Sequence, residues 1–238
     1  MKDADLIPLV TSLEQVYDNS DGQIAKIHLP RYQMVAKKFK ELYGEDPEYF
    51  SRAPGRVNII GEHIDYSNYA VLPAAIEKDM IIAFKESKEP VIEVHNTNEK
   101  DFKYQKVPLD KDIEFKKEED KKWVNYFLAG FKHILQLKVS KPDKGFKILI
   151  DSTVPVNSGL SSSAASSVSS TLVPLTIYGL REKYTRTEMI GHIVEYERSV
   201  GVACGGMDQT ISIFAETGTA KFIEFNPVKA TTVKLPSK

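Results

Sequence analysis

The sequence predicts an α+β fold built on a mixed or antiparallel sheet. Three observations carry that expectation. Runs rich in branched and aromatic residues crowd the stretch from Tyr49 to His95, and apolar residues elsewhere recur at helical spacings of three and four. Strands and helices also fail to alternate in a regular βαβ order, and no internal repeat is visible. The chain has 238 residues, 42% of them hydrophobic and 27% charged, which suits an ordinary packed core. At roughly 150 residues per domain that length corresponds to about one and a half domains.

The elements follow in order. Tyr32, Val35, Phe39 and Leu42 place an amphipathic helix over Leu29 to Tyr43, with Pro30 near its start and Gly44 past its end. Strand-type runs are Tyr49 to Arg52, Val57 to Ile60, Val71 to Ile76, Met80 to Phe84 and Val91 to His95, with a loop from Gly61 to Tyr69 between the second and third. Asp110 to Lys122 is almost entirely charged and reads as a solvated loop or helix entry. Trp123, Phe127, Phe131, Ile134 and Leu135 mark a second helix, and Phe146 to Ile150 a buried strand. Between Ser158 and Ser170 serine dominates, as in a flexible linker, yet Leu160, Ala164, Val168 and Leu172 keep a four-residue stripe that a linker does not need. Thr185 and Glu188 form a capping-box pattern ahead of a helix through Met189, Ile193 and Val194 that Gly201 would end. Phe214, Thr217-Gly218 and Phe222 to Phe225 look like a hairpin, and Thr231 to Leu235 is strand-like.

Charge and cysteine content narrow the function. With 32 Lys+Arg against 33 Asp+Glu the net charge is −1, so no long-range attraction draws the chain to nucleic acid or an anionic membrane. Cys204 is the one cysteine, which excludes an internal disulfide and a multi-cysteine metal site and fits a reducing compartment. The segment Met1 to Thr11 lacks the layout of a signal peptide, and no apolar run approaches the roughly 20 residues that span a bilayer. A soluble, cytoplasmic protein is expected.

Three clusters carry chemistry. Pro155 to Ala164 runs from a strand through a Gly turn into a helix, where first-turn N–H groups and small hydroxyls favour an anion and Gly159 allows close backbone approach; a Ser-capped helix without a ligand is the plain alternative. Neither a P-loop nor a Gly-x-Gly-x-x-Gly fingerprint is present. In Arg52 to Tyr66, one fixed cation at Arg56 accompanies Glu62, His63 and Asp65, a combination able to grip a polyhydroxylated ligand or to form a surface ion-pair network. In Glu197 to Gln209, Gly205-Gly206 precede Asp208, which suits a base close to a substrate hydroxyl or a turn capped by that aspartate. Cys204 beside it reads as a small buried residue rather than a nucleophile.

Taken together and in order, these clusters resemble the three-part signature of the galactokinase, homoserine, mevalonate and phosphomevalonate (GHMP) kinase superfamily. Gly55 to Tyr66 is similar to the galactokinase-specific stretch. Ile64-Asp65-Tyr66, Gly205 to Gln209 and Gly218 to Lys221 lean toward the eukaryotic N-acetylgalactosamine kinase branch. The resemblance extends from about Tyr49 to Ser237, with Met1 to Glu48 matching loosely as a helical lead-in to a domain over residues 49–238.

The resemblance implies a GHMP-kinase N-terminal domain, of the ribosomal protein S5 domain 2-like kind. It implies transfer of the ATP γ-phosphoryl to the anomeric hydroxyl of galactose or N-acetylgalactosamine, with ATP and Mg²⁺ as cofactors and neither nucleic acid nor membrane as partner. Asp208 matches the catalytic carboxylate and Arg56 the arginine beside it; Arg56, Glu62, His63, Asp65, Gly205 and Asp208 match sugar contacts. Gly159, Ser161, Ser162 and Ser163 match the phosphate loop, Trp123 and Tyr126 an element near the nucleotide, and Ser163 and Glu197 the Mg²⁺ ligands. Members of the superfamily continue well past the point matched by Lys238, so the resemblance also implies a C-terminal domain beyond it and little turnover by residues 1–238 alone. A sugar and ATP sensor that regulates a partner is the competing function, because fold does not fix activity.

Overall fold

The computed structural model describes residues 5–17, 22–109, 113, 123–138, 144–199 and 204–236. A five-stranded sheet forms from β1 (Tyr49–Ile60), β2 (Leu72–Ser87), β3 (Val91–Asn96), β4 (Gln105–Pro108) and β5 (Gly145–Ser152), in the order β1-β2-β5-β3-β4. All neighbours are antiparallel except β3 and β5, which run parallel, so the sheet is mixed as expected.

The alternation of side chains on β2 divides the core. Ile82 and Phe84 join Ile92, Phe127, Phe131, Phe146 and Ile148 on one face. Ile81 and Ala83 join Tyr32, Val35, Phe39 and Leu149 on the other, beneath the long helix α2 (Gln23–Tyr43), which follows a single turn, α1 (Leu13–Val16). The first face is covered by α3 (Val124–Lys138) and α4 (Ser162–Ile177), with α5 (Arg186–Ser199) and α6 (Met207–Phe214) behind them. A hairpin of β6 (Thr219–Glu224) and β7 (Lys229–Lys234) joins the body where Val71 and Ile223 exchange backbone hydrogen bonds of 3.0 and 2.9 Å.

Helix α4 explains the serine-rich stretch. Residues Ala164 to Thr171 are all buried, far more than a single stripe. The hydroxyls satisfy themselves on their own helix: Ser169 donates to the Ala165 carbonyl at 2.6 Å, Thr171 to Ser167 at 2.7 Å and Ser170 to Ser167 at 3.0 Å. Small, self-satisfied side chains let α4 lie in the centre of the fold without unpaired polar groups.

Several expectations change. Helix α2 begins at Gln23 rather than Leu29 and contains Pro30, which lies on the exposed side where the unpaired carbonyl meets water. The two runs at Tyr49–Arg52 and Val57–Ile60 form one strand, with register shifts between Pro54 and Arg56 and between Asn58 and Ile60; Pro54 is tolerated because β1 is an edge strand. The two runs after Tyr69 likewise merge into β2. Phe214 ends a helix instead of starting the hairpin, whose strands are β6 and β7. Strand β4 was not anticipated. Gly201 and the charged stretch Asp110–Lys122, apart from the buried Ile113, lie outside the described residues. Among the described residues no helix is long and apolar enough to cross a membrane.

Candidate active site

Strand β1 and two connections meet at Arg56. Its backbone N–H donates to the Leu160 carbonyl at 3.1 Å, and Nη1 donates to the Gly159 carbonyl at 2.6 Å, tying the strand to the loop between β5 and α4. Nε and Nη2 reach the two carboxylate oxygens of Asp208 at 2.6 and 3.1 Å. Ser161, the residue before α4, donates its hydroxyl to Asp208 Oδ2. Gly159 and Ser161 hold φ of 72° and 58°, so this loop turns sharply before the helix starts.

Asp208 is the second residue of α6, where a negative charge is favoured by the helix N-terminus. Gly206 precedes the helix and has no side chain to cap it. Asp65, from the turn after β1, supplies the missing cap: its Oδ2 accepts from the N–H of Gly205 at 3.0 Å and of Met207 at 3.3 Å. Only glycine fits at 205, because a Cβ there would lie 2.2 Å from the Asp65 carbonyl carbon.

Arg56, Asp208, Gly159, Ser161, Ser162 and Ser163 line a cavity of about 570 Å³ together with Trp123 and Tyr126, so the structure brings eight of the sequence-selected residues to one place. Trp123 Nε1 is buried with no hydrogen-bond partner among the described residues, which leaves it available to a ligand acceptor. A further part of the wall comes from Asn96, Thr97, Asn98 and Phe102, residues that sequence reasoning missed; nothing in their order distinguishes them from a strand end.

The remaining candidates lie elsewhere. Glu62 and His63 sit on the exposed loop after β1, where Glu62 accepts from Asn58 at 2.8 Å and lies 3.5 Å from His63, and neither lines the cavity. Glu197 is only 2% exposed and also stays behind the cavity lining. Burial pushes its carboxyl above the usual range, opposed by hydrogen bonds with Gln209 and Ser167. Burial pushes the Cys204 thiol up to about 12, in keeping with an inert side chain.

The polar atoms fit a divalent cation in one respect. Glu197 Oε1 and Gln209 Oε1 are buried acceptors without hydrogen-bond partners among the described residues. No three His, Cys, Asp or Glu side chains gather there among those residues. One carboxylate and one amide oxygen do not make an all-protein cage, and a Mg²⁺ there would need substrate phosphates to complete its shell.

Residues 37–86 match the galactokinase galactose-binding signature and residues 125–216 match the GHMP kinases N terminal domain. Against the galactokinase of Candida maltosa the identity is 38% over 210 residues, covering 86% of this chain and 96% of that relative. The chain belongs to the galactokinase family. The galactokinase of Dictyostelium discoideum is 38% identical over 237 residues, covering 96% of this chain, and that of Candida parapsilosis 39% over 216 residues, covering 89%. The chain spans 45% and 42% of their respective lengths. The fold agrees: Lactococcus lactis galactokinase complexed with galactose superposes with a TM-score of 0.75 at 27% identity, over 86% of this chain and 52% of that one. Methanococcus jannaschii mevalonate kinase shares the fold at a TM-score of 0.64 and 24% identity, over 79% of this chain and 56% of its own. The α+β body of this galactokinase-family chain is thus a GHMP kinase N-terminal domain.

Proposed function

We propose that the protein is a cytoplasmic, ATP-dependent sugar kinase that phosphorylates the anomeric hydroxyl of galactose. The observation that carries this reading is the position of Asp208: a carboxylate gripped by Arg56 and Ser161 at the start of a helix, beside a loop whose backbone and hydroxyls suit phosphate. In this role Asp208 receives or orients the proton of the sugar hydroxyl, and Arg56 neutralises charge on the transferring group. Residues Gly159 and Ser161 to Ser163 hold the phosphates, and Trp123 and Tyr126 flank the nucleotide. Ser163 and Glu197 would hold Mg²⁺, whose chemistry is to offset phosphate charge. Positioning and charge neutralisation are the main requirements of phosphoryl transfer, and this chain's residues supply both.

Sugar contacts are assigned to Asp65 and Gly205 beside Asp208 and to Glu62 and His63 on the exposed loop. Ile60, Tyr66 and Tyr69 on and beside that loop expose 68%, 51% and 66% of their surface, which supports a second wall closing over the sugar. Residues 1–238 alone are accordingly proposed to turn over little, since an open cleft neither excludes water nor fixes both substrates. The galactose-binding signature at residues 37–86 supports galactose over N-acetylgalactosamine.

The test is ADP production by the full-length protein with MgATP and galactose, N-acetylgalactosamine or no sugar. Galactose-dependent turnover is expected. Preference for the acetylated sugar would correct the substrate, and binding of sugar and ATP without turnover would establish a sensor instead.

A further inference from the structure

Beneath the cavity, charged groups from four elements, α2, β1, β2 and β5, gather together. Arg31 of α2 donates Nε to Asp151 Oδ2 at 2.6 Å, and its Nη2 donates to the backbone carbonyls of Asp79 and Asp151 at 3.2 and 3.1 Å. Asp79 has no exposed surface; Arg31 Nη1 and Arg52 Nε both reach its carboxylate, and Tyr17 donates to it at 3.1 Å. Two cations thus face two carboxylates. Such balanced buried charges often stabilise a protein no better than apolar residues of the same size, so stability alone does not account for them.

What the group does fix is the register of the strand ends that form the cavity wall. The second oxygen of Asp151, Oδ1, accepts from the Thr97 hydroxyl at 2.5 Å, and the Thr97 N–H donates to the Ile150 carbonyl at 2.9 Å. Thr153 holds Asp79 from the other side, donating its N–H to the Asp79 carbonyl at 2.9 Å and accepting from the Asp79 N–H at 3.0 Å. Thr97 and Thr153 line the cavity, whereas Arg31, Arg52, Asp79 and Asp151 do not. Arg31 also lies outside both matched family ranges.

We propose that Arg31 and Asp151 are positioning residues for the nucleotide: through the Thr97 hydroxyl they fix the Asn96–Asn98 wall at the distance from the phosphate loop that the bound nucleotide requires. The proposal rests on the kinase reading. Because the network reaches the cavity at Thr97 and Thr153, and not at the Asp65–Gly205–Asp208 contacts on the sugar side, its loss weakens nucleotide binding selectively.

The experiment measures MgATP and galactose affinity by calorimetry in the full-length protein and its variants, with thermal unfolding as a check on folding. Thr97→Val keeps the size of the side chain and removes the donor; it is expected to weaken MgATP about five- to tenfold and leave galactose within twofold. Thr97→Ser restores the hydroxyl and should return MgATP affinity to near the parent value. Arg31→Gln, at a side chain outside the cavity, should reproduce the MgATP-selective loss, and combining it with Thr97→Val should add little because both cut one connection. Equal losses for both ligands, full additivity of the two substitutions, or unchanged MgATP affinity in a folded Thr97→Val protein would overturn the proposal while leaving the kinase reading intact. A parent protein that binds no nucleotide would overturn both.

Discussion

Arg56 meets Asp208 side-on, with Nε 2.6 Å from one carboxylate oxygen and Nη2 3.1 Å from the other, while its remaining nitrogen donates to the Gly159 carbonyl. One planar guanidinium therefore fixes the Asp208 carboxylate and the loop before α4 relative to each other. A lysine retains the charge and cannot bridge both partners in that geometry. Arg56→Lys is expected to lower kcat at least ~10-fold in steady-state kinetics of the full-length protein, with smaller change in thermal stability. A kcat equal to the parent's would show that the bidentate contact is unimportant.

Gly205 tests how α6 is placed. Alanine there puts a Cβ 2.2 Å from the Asp65 carbonyl carbon, so the two backbones must separate and the Asp65 cap on Gly205 and Met207 is lost. Gly205→Ala should lower Tm by several degrees, at about 2–4 °C per kcal/mol for a chain of this size, and reduce kcat with it. An unchanged Tm would mean that the Asp65 contact does not hold the helix.

Gly159 predicts a different pattern. Nothing lies within 4 Å of a Cβ at this position, but its φ of 72° disfavours any other residue. Strain of about 1–2 kcal/mol is expected to reshape the loop locally. Gly159→Val should therefore weaken MgATP binding well beyond sugar binding in calorimetry. Equal losses for both ligands would point to a purely structural turn.

Much of this arrangement was legible in the chain. The capping box at Thr185 and Glu188 is present in full, with Thr185 N–H donating to Glu188 at 2.7 Å and Glu188 N–H to Thr185 at 3.2 Å. The strand, turn and helix around Gly159 read correctly because apolar period and turn residues are local signals. The continuity of β2 was hidden by Glu77-Lys78-Asp79, a charged interruption in hydropathy; Asp79 is nevertheless buried, because Arg31 and Arg52 arrive from distant parts of the chain to neutralise it. The Asn96–Asn98 wall was invisible for the same reason. Its role depends on which strand lies beside it, and the parallel pairing of β3 with β5 has no local signature.

Glu197 gives a pH dependence. Burial raises its carboxyl above the usual range, so the folded protein keeps a proton that the unfolded chain releases near pH 4.3. The stability this contributes is complete below that point and is lost as pH rises through the folded-state value. Glu197→Gln should therefore raise Tm at pH 8 relative to the parent, by about 2–4 °C for each kcal/mol of relieved cost, and should do so less at pH 4. Mg²⁺ should raise the parent's Tm at pH 8 and leave the variant unmoved. The same Tm difference at both pH values would contradict the buried, cation-free carboxylate.

The central claim is that Asp208 acts on the sugar hydroxyl during phosphoryl transfer, and the most direct measurement is kcat for galactose phosphorylation by the full-length Asp208→Asn protein. Asparagine keeps the shape and removes the charge, so kcat should fall at least ~10²-fold while Tm stays close to the parent's. Turnover comparable to the parent's in a folded Asp208→Asn protein would contradict the account.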